Sequence, residues 1–409
     1  MADQKIKKII IVGAGPSGLI LAILLAQSDI PVLLLDAALV PNDNPRAAHY
    51  APSSVRELRR CGVLAEVQQE GFIPEGVCWR KPDGEVLGGI KSDPSNPDSM
   101  VCLPLDRLIL ILLRRLGELA NAELRWGWNV VGVKGTEEGD REASVTAVVK
   151  GGEKVVEKAD YVVGCDGANS SIRKCLFGDS YPGETLSSQI IATNVFYDFH
   201  RFQYWDSQFI IHPTDWYMAA KITPSGLWRV TYGDIPGLTT EQYLERQEMR
   251  FEQILPGHPK KGEYRVVNRS PYKLQQRCVG QMRKGRVLLA ADAAHLCNPF
   301  GGMGLTGGIA DISTLFDCLL AIHTSLTTDA ILDKYSEVRI KKWKEVIDPS
   351  SRANFRRIWD EEEGVRRERE EYLERCRTME SNVELRKVIF ASTYMLDEDM
   401  TPYFTKPTS

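Results

Sequence analysis

Two short stretches of this chain spell G-x-G-x-x-G: Gly13-Ala14-Gly15-Pro16-Ser17-Gly18 and Gly302-Met303-Gly304-Leu305-Thr306-Gly307. Glycines at this spacing let a backbone turn tightly and approach a phosphate, so each stretch is a candidate dinucleotide cradle. Their surroundings separate them. At the first, Lys7-Lys8 leads into Ile9–Val12, a β-branched run suited to a strand buried on both faces. The glycines follow at once, Leu19–Gln27 is apolar and helix-favouring, and Pro31–Leu35 forms a second strand ending in Asp36. This is a complete βαβ unit with its acid at the expected distance. Gly13 serves the turn, Gly15 the approach of a pyrophosphate, and Gly18 the packing of helix on strand, with Ser17 as a further contact in the first helical turn. The pyrophosphate would sit on the helix N-terminus. Asp36 would accept from the ribose hydroxyls and repel a 2′-phosphate.

The second match has different neighbours. Gly285–Ala290 reads as a glycine turn and short strand, followed by Ala291-Asp292-Ala293-Ala294-His295 and a loop through Pro299. After the glycines an amphipathic helix is expected from Ile309 to about His323, and no second strand ends in an acid. This is therefore not a second nucleotide fingerprint. Its helix start still offers the unpaired N–H groups of Gly304, Leu305 and Thr306 to an anionic or electron-rich oxygen.

Between them, Ala159–Gly164 reads as a strand, and Cys165-Asp166-Gly167 through Arg173 as a turn into a helix. Asp-Gly after a strand is, by itself, an ordinary turn. In order, however, GAGPSG with Asp36, YVVGCDGANSSIRK and GRVLLAADAAHLCNPFGGMGLTGGIAD resemble the class A flavoprotein monooxygenases, the p-hydroxybenzoate hydroxylase-like aromatic hydroxylases. The resemblance implies one FAD laid across the molecule. The first motif would hold its ADP half and the late glycines its isoalloxazine, so the two matches become two ends of one cofactor. It implies further that Asp292 meets the ribityl–pyrophosphate region, that Pro299 borders flavin and substrate, and that Gly304, Leu305 and Thr306 meet the pyrimidine edge. Asp166 and Arg173 would serve the middle motif. Arg46, with Ala48 beside it, and Arg107 would be arginines of the FAD cleft, where a guanidinium fork suits a pyrophosphate. Two residues depart from the family pattern: Ala291 stands for the usual glycine before the acid, and Thr306 for a common asparagine. Asp311, further along the helix, is expected to lie outside the cofactor motif. The implied reaction uses NADH or NADPH as a transient reductant and O2 as co-substrate. It passes one oxygen, through a flavin C4a-hydroperoxide, to an electron-rich aromatic small molecule.

These residues require an α/β fold: a Rossmann-type FAD-binding domain interleaved with a β-sheet substrate domain, plus C-terminal helices. The expected divisions are 1–175 with 277–350 for FAD, 176–276 for substrate, and 351–409 as a helical segment. Within 176–276 the pattern alternates and is crowded with aromatics, from Phe196 to Tyr232, suiting a sheet over a flat apolar substrate. Arg201, His212, Tyr217 and Arg229 are interleaved polar groups able to bind a phenol or carboxylate. His49, Tyr217 and Pro299 are the candidate catalytic residues. Asp360–Arg377 pairs Glu362/Arg366, Glu363/Arg367 and Glu371/Arg375 at i,i+4, which predicts a solvated helix and a candidate homodimer contact.

The composition agrees with a small-molecule enzyme. The 409 residues are 43% hydrophobic with net charge -4, leaving no electrostatic footprint for nucleic acid or an anionic membrane. Nine scattered cysteines without C-x-x-C read as reduced thiols in a cytoplasmic protein, and no His/Cys cluster has metal-ligand spacing. The start imitates a signal peptide, but its apolar run contains GAGPSG and continues into PVLLLD, so no processing segment and no membrane span are expected. A flavin dehydrogenase or reductase on the same scaffold, and a non-catalytic flavin- or NAD-binding protein, are the alternative functions.

Overall fold

Ile9–Val12, with no polar side chain, is buried throughout and lies inside a six-stranded sheet. Its order is Arg283–Lys284, Val287–Leu289, Tyr161–Gly164, Ile9–Val12, Val32–Asp36, Ala122–Trp126. Every neighbouring pair is parallel except the first. The computed structural model describes residues 5–43, 49–379 and 381–405. Parallel strands bring their carboxyl ends to one edge, and there the three motifs and Asp36 emerge side by side. Gly13 N–H donates to Leu35 O at 2.7 Å, Cys165 N–H to Val12 O at 2.7 Å, and Ala290 N–H to Gly164 O at 3.0 Å. The chain leaves Ile9–Val12 with Val32–Asp36 on one side and Tyr161–Gly164 on the other, which makes this edge a topological switch point.

The first helix spans Pro16–Gln27, and its residues Ser17 to Ala26 are buried. The late helix runs Met303–His323, beginning six residues before the sequence pattern indicates. Gly302 caps it in the left-handed region, at φ 66, which places Gly304, Gly307 and Gly308 inside the first turns. Gly307 and Gly308 give it close packing. A Cβ on Gly307 would lie 2.7 Å from Ile347 Cδ1, and one on Gly308 2.8 Å from Ala291 Cβ. The expected amphipathic helix is instead buried nearly all round. Among the described residues it alone is long and apolar enough to cross a membrane, and its burial makes it a core helix.

An eight-stranded sheet lies beside this unit, ordered His295–Leu296, Arg265–Cys278, Gly183–Phe196, Leu227–Asp234, Tyr217–Lys221, Ser207–Ile210, Gly76–Arg80, Val86–Lys91. It takes its last two strands from the N-terminal part of the chain through a parallel pairing of Ser207–Ile210 with Gly76–Arg80. Strand alternation gives it two different faces. Ile191, Val195, Tyr217, Trp228, Val230 and Tyr232 pack with Tyr243, Phe251 and Ile254 of the helix Thr240–Ile254. Ile190, Leu274, Tyr272, Phe209 and Met218 pack with Phe300, Phe355 and Ile358. The charge-dense helix, Glu363–Thr378, is not wholly solvated: Val365, Arg369, Leu373 and Cys376 are buried, and Tyr372 meets Trp79 edge-on at 5.1 Å. Of the three expected pairs, Arg367–Glu363 forms at 3.2 Å, while Glu362 pairs with Arg356 at 2.6 Å in place of Arg366.

Candidate active site

The first glycine motif shows why each position is glycine. Gly13, at φ 108, passes so close to the middle motif that a Cβ would lie 2.4 Å from Cys165 O. A Cβ on Gly18 would sit 1.9 Å from Gly13 O, whereas one on Gly15 meets nothing within 4 Å. Two positions are closed by protein and the one that should face a pyrophosphate is open. Asp36 secures the loop: its carboxylate accepts from Ala14 N–H at 2.7 Å and Ala38 N–H at 2.8 Å. Arg46 and Ala48 lie outside the described residues.

The late motif reaches the same place. Ala291–Ala293 forms a single 3-10 turn at the end of Val287–Leu289, with Asp292 exposed on it. The space over Gly308 is bounded both by Ala291 and by Ser17 Oγ, 3.4 Å from the position of a Cβ, so the two glycine stretches meet. Gly304 is open: a Cβ there would meet only Cys297 Sγ, at 3.8 Å. Leu305 is half-buried, and the Thr306 hydroxyl donates to Gly302 O at 3.0 Å. The turn is clamped from two sides. Arg173, buried and stacked 3.7 Å over Tyr181, donates to Ala293 O at 3.2 Å, and Tyr181 O–H donates to Asp292 O at 3.1 Å. Behind the turn, Asp311 is wholly buried and accepts from Ala291 N–H at 2.9 Å, His295 Nε2 at 2.7 Å and Arg339 Nε at 2.7 Å. Asp311 is therefore bonded to the cofactor motif, contrary to the expectation from sequence, which also passed over His295, Arg339 and Tyr181. A carboxylate in the most apolar part of this helix was the available signal, because a buried carboxylate requires partners.

Asp166 faces its own helix. It accepts from Ser171 N–H at 2.7 Å and Ile172 N–H at 3.2 Å, closing the start of Ser171–Phe177 beside the cap of Ser170. Arg107 makes an exposed ion pair with Glu70 at 2.7 Å.

The catalytic candidates separate. Tyr217 is buried on the far sheet face, its hydroxyl 2.7 Å from that of Tyr204, and burial pushes its pKa well above 10. Pro299 precedes Phe300, which packs on the opposite face against Trp216 and Phe355. Hence the face carrying Phe300 is the one turned to the late glycine loop. Of the four interleaved polar groups, Arg229 alternates with Trp228 and Val230 and so lies on that face, donating from Nε and Nη2 to Asn194 Oδ1 at 3.0 and 2.9 Å. Arg201 is exposed over Tyr197 and Phe202, and His212 bonds its own turn at Asp215 N–H.

His49 stands in a two-residue strand paired with Val101–Cys102, its Nδ1 3.8 Å from Cys102 Sγ. The ring is partly covered but Nε2 is buried without a partner among the described residues, and burial pulls the pKa down from 6.5 to about 4 against the opposing charge of Asp206. An imidazole neutral in the folded protein and protonated when unfolded costs stability on acidification. Its contribution is complete above pH 6.5 and is lost as pH falls to about 4. We expect His49→Asn to flatten the pH dependence of unfolding in that window by at most about 3 kcal/mol, measured by denaturant titration. An unchanged slope would show the ring is charged or exposed.

These residues fit a dinucleotide. Two helix N-termini, at Gly15 and Gly302, lack a side-chain cap and have open glycines at or just inside them. Among the described residues, the hydroxyls of Ser53 and Ser54 in the helix Pro52–Arg60, His49 Nε2 and Asn298 Nδ2 are buried polar atoms without a hydrogen-bond partner.

A family profile described as "FAD binding domain" matches residues 7–350. The chain is 33% identical over 351 residues to para-nitrophenol 4-monooxygenase of Pseudomonas sp. strain WBC-3, covering 85% of this chain and 86% of that protein. It is 33% identical over 365 residues to 6-hydroxy-3-succinoylpyridine 3-monooxygenase of Pseudomonas putida, covering 88% and 90%. The crystal structure of a p-nitrophenol 4-monooxygenase from Pseudomonas putida DLL-E4 superimposes with a TM-score of 0.88 at 30% identity, covering 96% of this chain and 98% of that one.

Proposed function

Because this chain belongs to the FAD-binding-domain family of class A flavoprotein monooxygenases, and is an FAD-dependent aromatic hydroxylase, we propose that its substrate is a small monocyclic phenol bound as its phenolate. The observation that carries this reading is the Arg229 guanidinium, on the side of the large sheet turned to the late glycine loop, the face that also carries Ile190, Phe209, Met218 and Tyr272. An apolar face suits a flat ring, and one fixed cation selects a substituent that bears negative charge. The names of the two relatives support it, since each acts on a six-membered aromatic ring carrying a hydroxyl group.

Bound FAD supplies the redox chemistry, taking electrons from NADH or NADPH and activating O2. The protein's residues supply the rest. The open glycines 15 and 304 and their helix ends would receive the pyrophosphate and the pyrimidine edge. Asp36 would read the ribose, Asp292 the sugar–phosphate chain, and Arg107 would exchange Glu70 for a cofactor oxygen. Asp166 would act indirectly, by fixing its turn beside Gly13. The apolar wall formed by Phe300, Trp216 and Met218 would exclude water above the ring. Tyr217, facing away, would support the sheet, and neutral His49 would offer Nε2 to cofactor or substrate. In this arrangement 1–175 with 277–350 form the FAD-binding unit, lending the hairpin at 76–91 to the substrate sheet of 176–276; of the C-terminal segment, the helices Asp348–Trp359 and Glu363–Thr378 cover that sheet, while Leu396 and Met400 pack into the core of the FAD-binding unit.

The test is NAD(P)H oxidation with 4-nitrophenol and with nitrobenzene, which lacks the hydroxyl. Stimulation and hydroxylated product with the phenol alone support the reading; equal stimulation by nitrobenzene overturns it. Arg229→Ala should raise KM for the phenol by roughly 10–100-fold with a smaller change in kcat, the value of a hydrogen bond to a charged group.

A further inference from the structure

We propose that the buried Asp311–His295–Arg339 cluster is a positioning device that holds Ala291 in a left-handed turn and so aims Asp292 at the flavin's sugar–phosphate chain. This rests on the reading that Asp292 meets that chain. Ala291 has φ 56, a conformation that glycine adopts freely and a residue with a Cβ resists. The resistance is met by fixed contacts. Ala291 N–H donates to Asp311 Oδ2 at 2.9 Å, and Ala291 O accepts from Ala294 N–H at 2.8 Å. His295, at the other end of the turn, bonds the same Asp311 oxygen at 2.7 Å. One carboxylate thus ties both ends of 291–295, leaving Asp292 exposed between them.

The carboxylate is itself bonded on its other side. Arg339, with no exposed surface, donates Nε to Asp311 Oδ1 at 2.7 Å and Nη1 to Leu396 O at 2.6 Å. Gly308 completes the arrangement. It lies one helical turn before Asp311, and a Cβ on it would come within 2.8 Å of the Ala291 methyl. The alanine at 291 is therefore matched by an absent side chain at 308 and by a bonded N–H. If 291 were glycine, the turn would need less help from Asp311.

The test is a double-mutant cycle read as the FAD dissociation constant, by fluorescence titration of the deflavinated enzyme, with thermal melting in parallel. Asp311→Asn should weaken FAD by about tenfold or more, because an amide cannot accept from all three donors. Ala291→Gly alone should leave the constant within about threefold. In the Asp311→Asn background, Ala291→Gly should recover most of the lost affinity while the melting temperature stays low; a purely structural role would not separate these readouts. If Asp311→Asn yields no folded protein, His295→Gln with and without Ala291→Gly makes the same comparison. Unchanged affinity in Asp311→Asn, or no recovery with glycine at 291, overturns the proposal. Asp292→Ala distinguishes its premise: wild-type FAD affinity there removes the reading of Asp292. Weakened binding there, with normal binding in Asp311→Asn, removes the positioning device alone.

Discussion

Gly15→Val should give a folded protein that purifies without flavin, whereas Gly18→Ala, a smaller change three residues on, should fail to fold stably. The two glycines differ in what surrounds them. A Cβ on Gly15 meets no protein atom within 4 Å, and its backbone is extended at φ -72, ψ 179, which valine adopts readily. The space it would fill is the approach of a pyrophosphate to the helix N-terminus. Loss of that approach should weaken FAD by ~100-fold or more, about 2.7 kcal/mol. A Cβ on Gly18 would stand 1.9 Å from Gly13 O, a backbone atom that cannot yield without moving the strand end. Overpacking a closed site costs ~1–3 kcal/mol or more, and here it falls at the centre of the parallel sheet. Flavin absorbance per protein and melting followed by circular dichroism measure both variants. Stoichiometric flavin in Gly15→Val, or identical melting losses in the two, would contradict the assignment.

Arg339→Met should be the most destabilising single change at a side chain remote from substrate. Burial by itself would raise the Asp311 pKa; His295 and Arg339 outweigh it and hold the carboxyl at about 2. Removing Arg339 strands a buried carboxylate, at a cost of roughly 3–5 kcal/mol, or a melting temperature lower by on the order of 10 °C. Adding Asp311→Asn to Arg339→Met should recover part of this loss, because the stranded charge is then gone. The same carboxyl sets an acid limit. Its folded pKa lies below the ordinary 3.8, so its contribution is present above pH 3.8 and is lost as pH falls to about 2. Denaturant unfolding of the single and double variants measures the coupling. A double variant no more stable than Arg339→Met would show that the cluster's value is packing, not charge.

The local code fixed much of this. A β-branched run, glycines whose spacing suits one turn, and an acid ending the next strand belong to a single stretch of chain, so Ile9–Asp36 could be read as one unit, and the profile match over 7–350 bears out its cofactor class. The motif order likewise showed that the second glycine match is not a second nucleotide unit. Helix limits were less legible: Gly304, Gly307 and Gly308 look like loop residues by propensity, yet tertiary packing against Ile347 and Ala291 places them inside Met303–His323. Which face of the large sheet is turned to the late loop was beyond the sequence, because period-two alternation names two faces and gives neither a direction. That decision moved Tyr217 to the far side and left Arg229 on the face against which Phe300 packs. The Asp311 cluster was hidden for a related reason. Its members are separated by 16 and 28 residues, and a buried charge becomes tolerable only when folding brings its partners within hydrogen-bond reach.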